Sequence, residues 1–128
     1  MLQQSLDHAN SPVSEAATVT KAVIAAADRL GLSARQLSAV IGVSEASLSR
    51  MKRLDFPLER GTKPFALSLL FIRLFRSLDA ITGGDEAVAR AWLKGDNTAL
   101  GAAPLTKIAT VSGLVDVLAY LDARRALV

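Results

Sequence analysis

A chain of 128 residues, 51% hydrophobic and 21% charged, has the size of one compact unit or of two small helical modules sharing a core, and its composition excludes a disordered chain. It holds no cysteine, which removes disulfides, thiolate metal sites and cysteine nucleophiles and fits a reducing compartment. The net charge is +3, but residues 29–76 carry nine Lys and Arg against only Glu45, Asp55 and Glu59; that basic centre is either a surface that meets an anion or a solvated face rich in Arg.

Residues 1–14 are polar, include Asn10-Ser11-Pro12, and are expected to form a flexible tail. They lack the basic stretch and apolar core of a secretory signal, and no apolar run approaches the ~18 residues of a membrane span, so a cytoplasmic location without membrane contact is expected. Leu and Ala are abundant, aromatics are few and no strand alternation is visible, which predicts an all-α fold. The first helix is expected from Glu15 or Ala16, with Val19, Val23, Ile24, Ala27 and Leu30 on one face and Gly31 at its end.

Ser33-Ala34-Arg35-Gln36 has the form of a capping box, in which the Ser hydroxyl accepts from the Gln36 amide and the Gln side chain reaches back. A short helix burying Leu37, Val40 and Ile41 should follow. Gly42 breaks it, and Ser44 caps a third helix whose Leu48, Met51 and Leu54 are expected to face inward. A connection with Pro57 and Gly61 leads to a long helix from Pro64 to about Ile81. That helix is apolar almost all round, so it must be covered on more than one side, by the rest of the chain or by a second copy. After Gly83-Gly84, Asp85 caps a helix over Glu86–Lys94 with Val88, Ala89, Trp92 and Leu93 as its apolar stripe. The stretch WLKGDNTALGAAPLTKIATVSG, from Trp92 to Gly113, reads as a folded joint. A last helix from Thr110 or Val111 to about Ala126 buries Leu114, Val117, Leu118 and Leu121.

Two constellations carry functional information. In QLSAVIGVSEASLSRMKR, from Gln36 to Arg53, two short helices meet at a Gly turn around a small shared core of Leu37, Ile41, Val43, Leu48 and Met51, which is the helix-turn-helix pattern. Its second helix has the length to enter a major groove. Ser44, Glu45, Ser47, Ser49, Arg50, Lys52 and Arg53 are the candidate DNA-contact residues, with the bases neutralising phosphate or reading guanine. The alternative is a helical hairpin that only packs. The segment resembles the helix-turn-helix of the Xre/Cro repressor class, with Leu37, Gly42, Val43, Ser44, Leu48 and Ser49 in matching places. It departs from that pattern at Ser38, where Ala is usual.

The second constellation is the Trp92–Gly113 joint with its flanking helices. It resembles the C-terminal domain of Xre/MbcA/ParS antitoxins through Ala89, Trp92, Leu93, Asn97, Leu100, Pro104, Ile108, Thr110, Gly113, Val117 and Leu121. The resemblance implies an antitoxin of a type II toxin–antitoxin system. Such an antitoxin neutralises a RES-domain, NAD-consuming toxin by covering or entering its active site, and binds the operon promoter. By region it places Arg124, Arg125 and the Val128 carboxylate near the toxin; Arg124 and Arg125 equally suit the negative end of the last helix dipole.

The expected organisation is a tail (1–14), an Xre-like helix-turn-helix domain (15–61) and a helical toxin-binding and dimerisation domain (62–128). The partners are a RES toxin, operator DNA and a second copy of the chain. No catalytic site, metal site or cofactor is expected: the only His, His8, lies in the tail, and Gly83-Gly84 lacks the Lys-Ser/Thr of a phosphate loop. The alternative function is a helix-turn-helix transcriptional regulator with a helical dimerisation domain and no toxin partner.

Overall fold

Helix starts in this chain are set by small oxygen-bearing side chains. Ser33, Ser44, Thr62, Asp85 and Thr110 each accept a backbone N–H from the first turn of the helix that follows. A computed structural model describes residues 12–53 and 57–127, with side chains from residue 15. Within them lie seven helices and no strand: α1 (Pro12–Leu30), α2 (Ala34–Ile41), α3 (Glu45–Lys52), α4 (Lys63–Ile81), α5 (Glu86–Lys94), α6 (Pro104–Lys107) and α7 (Val111–Arg125). Helix α1 begins three residues before the expected Glu15, at Pro12, whose fixed φ and missing N–H suit a first turn. Leu54 and His8 lie outside the described residues.

The capping box forms as the sequence predicts. Ser33 Oγ accepts from the Gln36 N–H at 3.1 Å, and the Ser33 N–H donates to Gln36 Oε1 at 2.8 Å. Helix α2 ends at Gly42, whose φ of +72° is open to glycine at little cost, and its N–H donates to Ser38 O at 2.9 Å. That turn aims α3 across α2 so that Leu37, Val40, Ile41, Leu48 and Met51 close one apolar cluster with α1. Thr20 fastens the α3–α4 connection to α1. Its hydroxyl donates to Ala16 O at 2.6 Å and accepts the buried Leu58 N–H at 2.8 Å.

Helix α4 is the shared spine. Leu67, Phe71, Leu74 and Leu78, spaced at four, three and four residues, form a fully covered stripe, and α1, α2, α5 and α7 all pack on the helix. The expectation of cover on several sides is thus met within one chain, while Leu69 stays exposed. Helix α5 buries Ala89 and Leu93. Val88 is 50% exposed, which corrects its assignment to the buried stripe: it sits about 100° round the helix from Ala89 and points away from α1 and α4. Arg90 reaches the last turn of α1, donating from Nε to Arg29 O at 2.9 Å and from Nη2 to Asp28 O at 3.1 Å. Gly31 leaves the room for it, since a Cβ there would lie 3.2 Å from Arg90 Cδ.

The joint is tied by local polar contacts. Asn97 Oδ1 accepts from the Leu100 N–H at 3.1 Å, and Lys107 Nζ donates to Leu100 O at 3.1 Å and to Asp116 Oδ2 at 3.2 Å. Pro104 opens α6, Ile108 is fully buried, and Thr110 caps α7 through the Gly113 N–H. Gly113 has no alternative. A Cβ at that position would stand 1.8 Å from Lys107 O, and that atom is backbone.

Two substitutions with opposite signs test this packing. Helix propensity alone favours Gly113→Ala by roughly 1 kcal/mol. The clash with Lys107 O should instead destabilise the chain by about 1–3 kcal/mol, read as a lower thermal midpoint in circular dichroism. Ser38→Ala should raise the midpoint, because the buried Ser38 hydroxyl has no hydrogen-bond partner and removing it recovers roughly 1–3 kcal/mol of desolvation.

Candidate nucleic-acid interface and C-terminal partner face

Helix α3 is held by two buried anchors, Leu48 and Met51, and turns the rest of its surface outward. Glu45, Ser49, Arg50, Lys52 and Arg53 are exposed, as is Ser44, and Ser47 is half-buried. The arrangement follows from the eight-residue length: two inward positions one turn apart leave the remaining azimuths facing outward. Glu45 lies in the first turn and Arg50 and Lys52 in the last, each at the favourable end of the helix dipole.

Three of the candidate residues form a chain along one edge. Ser44 Oγ accepts the Ser47 N–H at 3.0 Å and donates to Ser47 Oγ at 3.0 Å. Arg50 Nη2 donates to the same Ser47 Oγ at 3.3 Å. Ser44 therefore acts first as the cap that starts α3, and Ser47 steers the Arg50 guanidinium along the helix. Lys52 and Arg53 follow at the C-terminal end of α3, both exposed; Arg53 falls within about 60° of Arg50 round the helix, whereas Lys52 lies about 160° from it. A cationic, solvent-facing short helix has the chemistry of phosphate contact, and Arg also suits bidentate reading of guanine.

The C-terminal candidates diverge. The Arg124 guanidinium lies 5.4 Å from the centre of the Tyr120 ring, and Tyr120 stacks on Trp92 with centroids 6.1 Å apart and planes 19° from parallel. Arg125 turns toward α4, where Nη1 donates to Ser77 Oγ at 3.5 Å; Ser77 Oγ in turn donates to Asp122 Oδ1 at 3.1 Å, and Asp122 pairs with Arg73. Both arginines remain exposed. Val128 lies outside the described residues. No local sequence pattern encodes the stack or the Arg73–Asp122–Ser77–Arg125 cluster, because each joins residues far apart in sequence. Among the described residues no group of three or more His, Cys, Asp and Glu is placed to hold a metal ion, and no helix is long and apolar enough to cross a membrane.

Two family profiles match the chain. The antitoxin Xre-like helix-turn-helix domain matches residues 10–73, which is half of the chain, and the antitoxin Xre/MbcA/ParS C-terminal toxin-binding domain matches residues 77–126. The chain belongs to the Xre/MbcA/ParS antitoxin family. No curated protein matches it. The two matches meet inside α4, so the spine of this antitoxin-family fold serves both modules: its first part lies with the helix-turn-helix and its last turns with the toxin-binding domain.

The cap on α3 gives a direct test. Ser44→Ala removes the acceptor for the Ser47 N–H and should cost about 1 kcal/mol, measurable as a shift of the denaturant midpoint at unchanged slope.

Proposed function

We propose that this chain is the antitoxin of a type II toxin–antitoxin pair, that its toxin is a RES-domain enzyme that consumes NAD, and that it represses its own promoter. The observation that carries the reading is the union, on one spine, of a helix-turn-helix with an exposed basic α3 and a toxin-binding domain. In this reading Ser49, Arg50, Lys52 and Arg53 contact the operator, Ser44 and Ser47 support them, and Glu45 tunes approach to bases that present donors, such as the cytosine amino group. Residues 15–61 carry operator binding and residues 62–128 carry toxin binding and pairing with a second copy. The last helix and tail, with Arg124, Arg125 and Val128, block the toxin's active site. The chain acts by binding and not by catalysis, in the cytoplasm where promoter and toxin both reside.

Dimerisation follows from the geometry of operators for this motif, whose two half-sites require two recognition helices. A regulator without a toxin is disfavoured by the match to a toxin-binding domain. Expression of the neighbouring toxin gene alone should arrest growth and deplete NAD, and co-expression of this chain should restore both. Failure of rescue by a soluble, folded chain defeats the proposal.

Operator binding is tested separately by titration with the upstream promoter DNA at several salt concentrations. Lys52→Ala should weaken binding and lower the slope of log affinity against log salt by about one if the side chain meets a single phosphate. Unchanged binding by Lys52→Ala and by Arg50→Ala would place the DNA surface elsewhere.

A further inference from the structure

Helix α7 carries apolar residues on its outer side as well as on its inner one, beside the exposed Ser112 and Asp116. Its inner face, Leu114, Val117, Leu118 and Leu121, is buried on the rest of the fold. Its outer face carries Val111 and Val115, 44% and 48% exposed, followed one turn on by the exposed Ala119. The acids beside this strip are already engaged within the fold, Asp116 with Lys107 and Asp122 with Arg73. An apolar strip left in water is a candidate for cover by a partner.

At its N-terminal end the strip runs into a cleft of about 410 Å³ between the modules. Val111 and Thr110 form one wall, Pro64 and Lys63 at the start of α4 a second, and Ala39 and Gly42 of the helix-turn-helix a third. The walls are mainly aliphatic or backbone, with the Lys63 ammonium as their one ionised group. Of the exposed large hydrophobic residues described, Val88, Val111 and Val115 lie inside the matched toxin-binding segment, and Leu127 directly follows it.

We infer that Val111, Val115 and Ala119, together with the cleft beside Gly42 and Lys63, form the surface on which the toxin body docks, separate from the tail residues assigned to its active site. This rests on the toxin-binding reading of the C-terminal domain. The partner surface that fits is an aliphatic helix face or loop that lies along α7, inserts one apolar side chain between the modules and sets a carboxylate against Lys63. Because Ala39 and Gly42 form one wall, a toxin seated there touches the helix-turn-helix as well as its own domain.

The test is co-purification with the tagged product of the neighbouring toxin gene. The variants are Val115→Asp, Ala119→Arg, which keeps a good helix former at an exposed position, and Leu69→Asp, a matched change at an exposed apolar site on α4. Circular dichroism and operator titration confirm that each variant is folded. Val115→Asp and Ala119→Arg should lose at least tenfold in toxin affinity while operator binding persists, and Leu69→Asp should match the wild type. If wild-type chain retains toxin and both α7 variants retain it equally, the docking surface is overturned and the toxin-binding reading stands. If wild-type chain retains no toxin, the reading itself fails and the surface with it. If the α7 variants become monomers but keep toxin affinity, the face belongs to a second copy and the inference is overturned.

Discussion

A helix that is apolar on several sides cannot stand in water, and α4 imposes that constraint on everything around it. Fully covering a Leu or Phe side chain is worth about 1.5–3 kcal/mol, and Leu67, Phe71, Leu74 and Leu78 are all covered. No single neighbour does this. Helices α1 and α2 approach from the helix-turn-helix, and α5 and α7 approach from the C-terminal module. Helix α3, the second helix of the helix-turn-helix, is in turn positioned by α2 and α1, which rest on α4. The orientation of the basic surface is therefore set by the same spine that carries the toxin-binding domain.

Polar groups divide into those that fix elements locally and those that tie distant elements together. The caps at Ser33, Ser44, Thr62, Asp85 and Thr110 satisfy the first amides of their own helices. Thr20 with Leu58, and the Ser77–Asp122–Arg73 set, act across long separations. Exposed pairs such as Arg60 with Glu15 add little, because water already solvates both partners. Ser38 belongs to neither group. Its hydroxyl is buried without a partner at a place where the resembling repressor pattern has Ala.

Legibility in the sequence followed the range of the interaction. The capping box at Ser33, the Gly42 turn and the span of α5 all depend on residues within a few positions of one another. Helical periodicity likewise placed Leu48, Met51, Leu114 and Leu121 inward. The exposure of Val88, the stacking of Trp92 on Tyr120 and the turning of Arg125 toward Ser77 depend on how helices cross, and no local pattern encodes that. Trp92 illustrates the difference. Its membership of the family trace was readable, whereas its partner on α7, on which Arg124 then rests, was not.

The Arg90 contact makes each module sensitive to the sequence of the other. Its guanidinium closes the carbonyl end of α1 from 61 and 62 residues away, and it does so through space that Gly31 leaves vacant. A side chain at position 31 would be strained at φ +74° and would bring its Cβ to 3.2 Å from Arg90 Cδ, so the arginine would have to shift by a few tenths of an ångström. Glycine at 31 and arginine at 90 therefore form a matched pair across the module boundary. A change at either position bears on both modules.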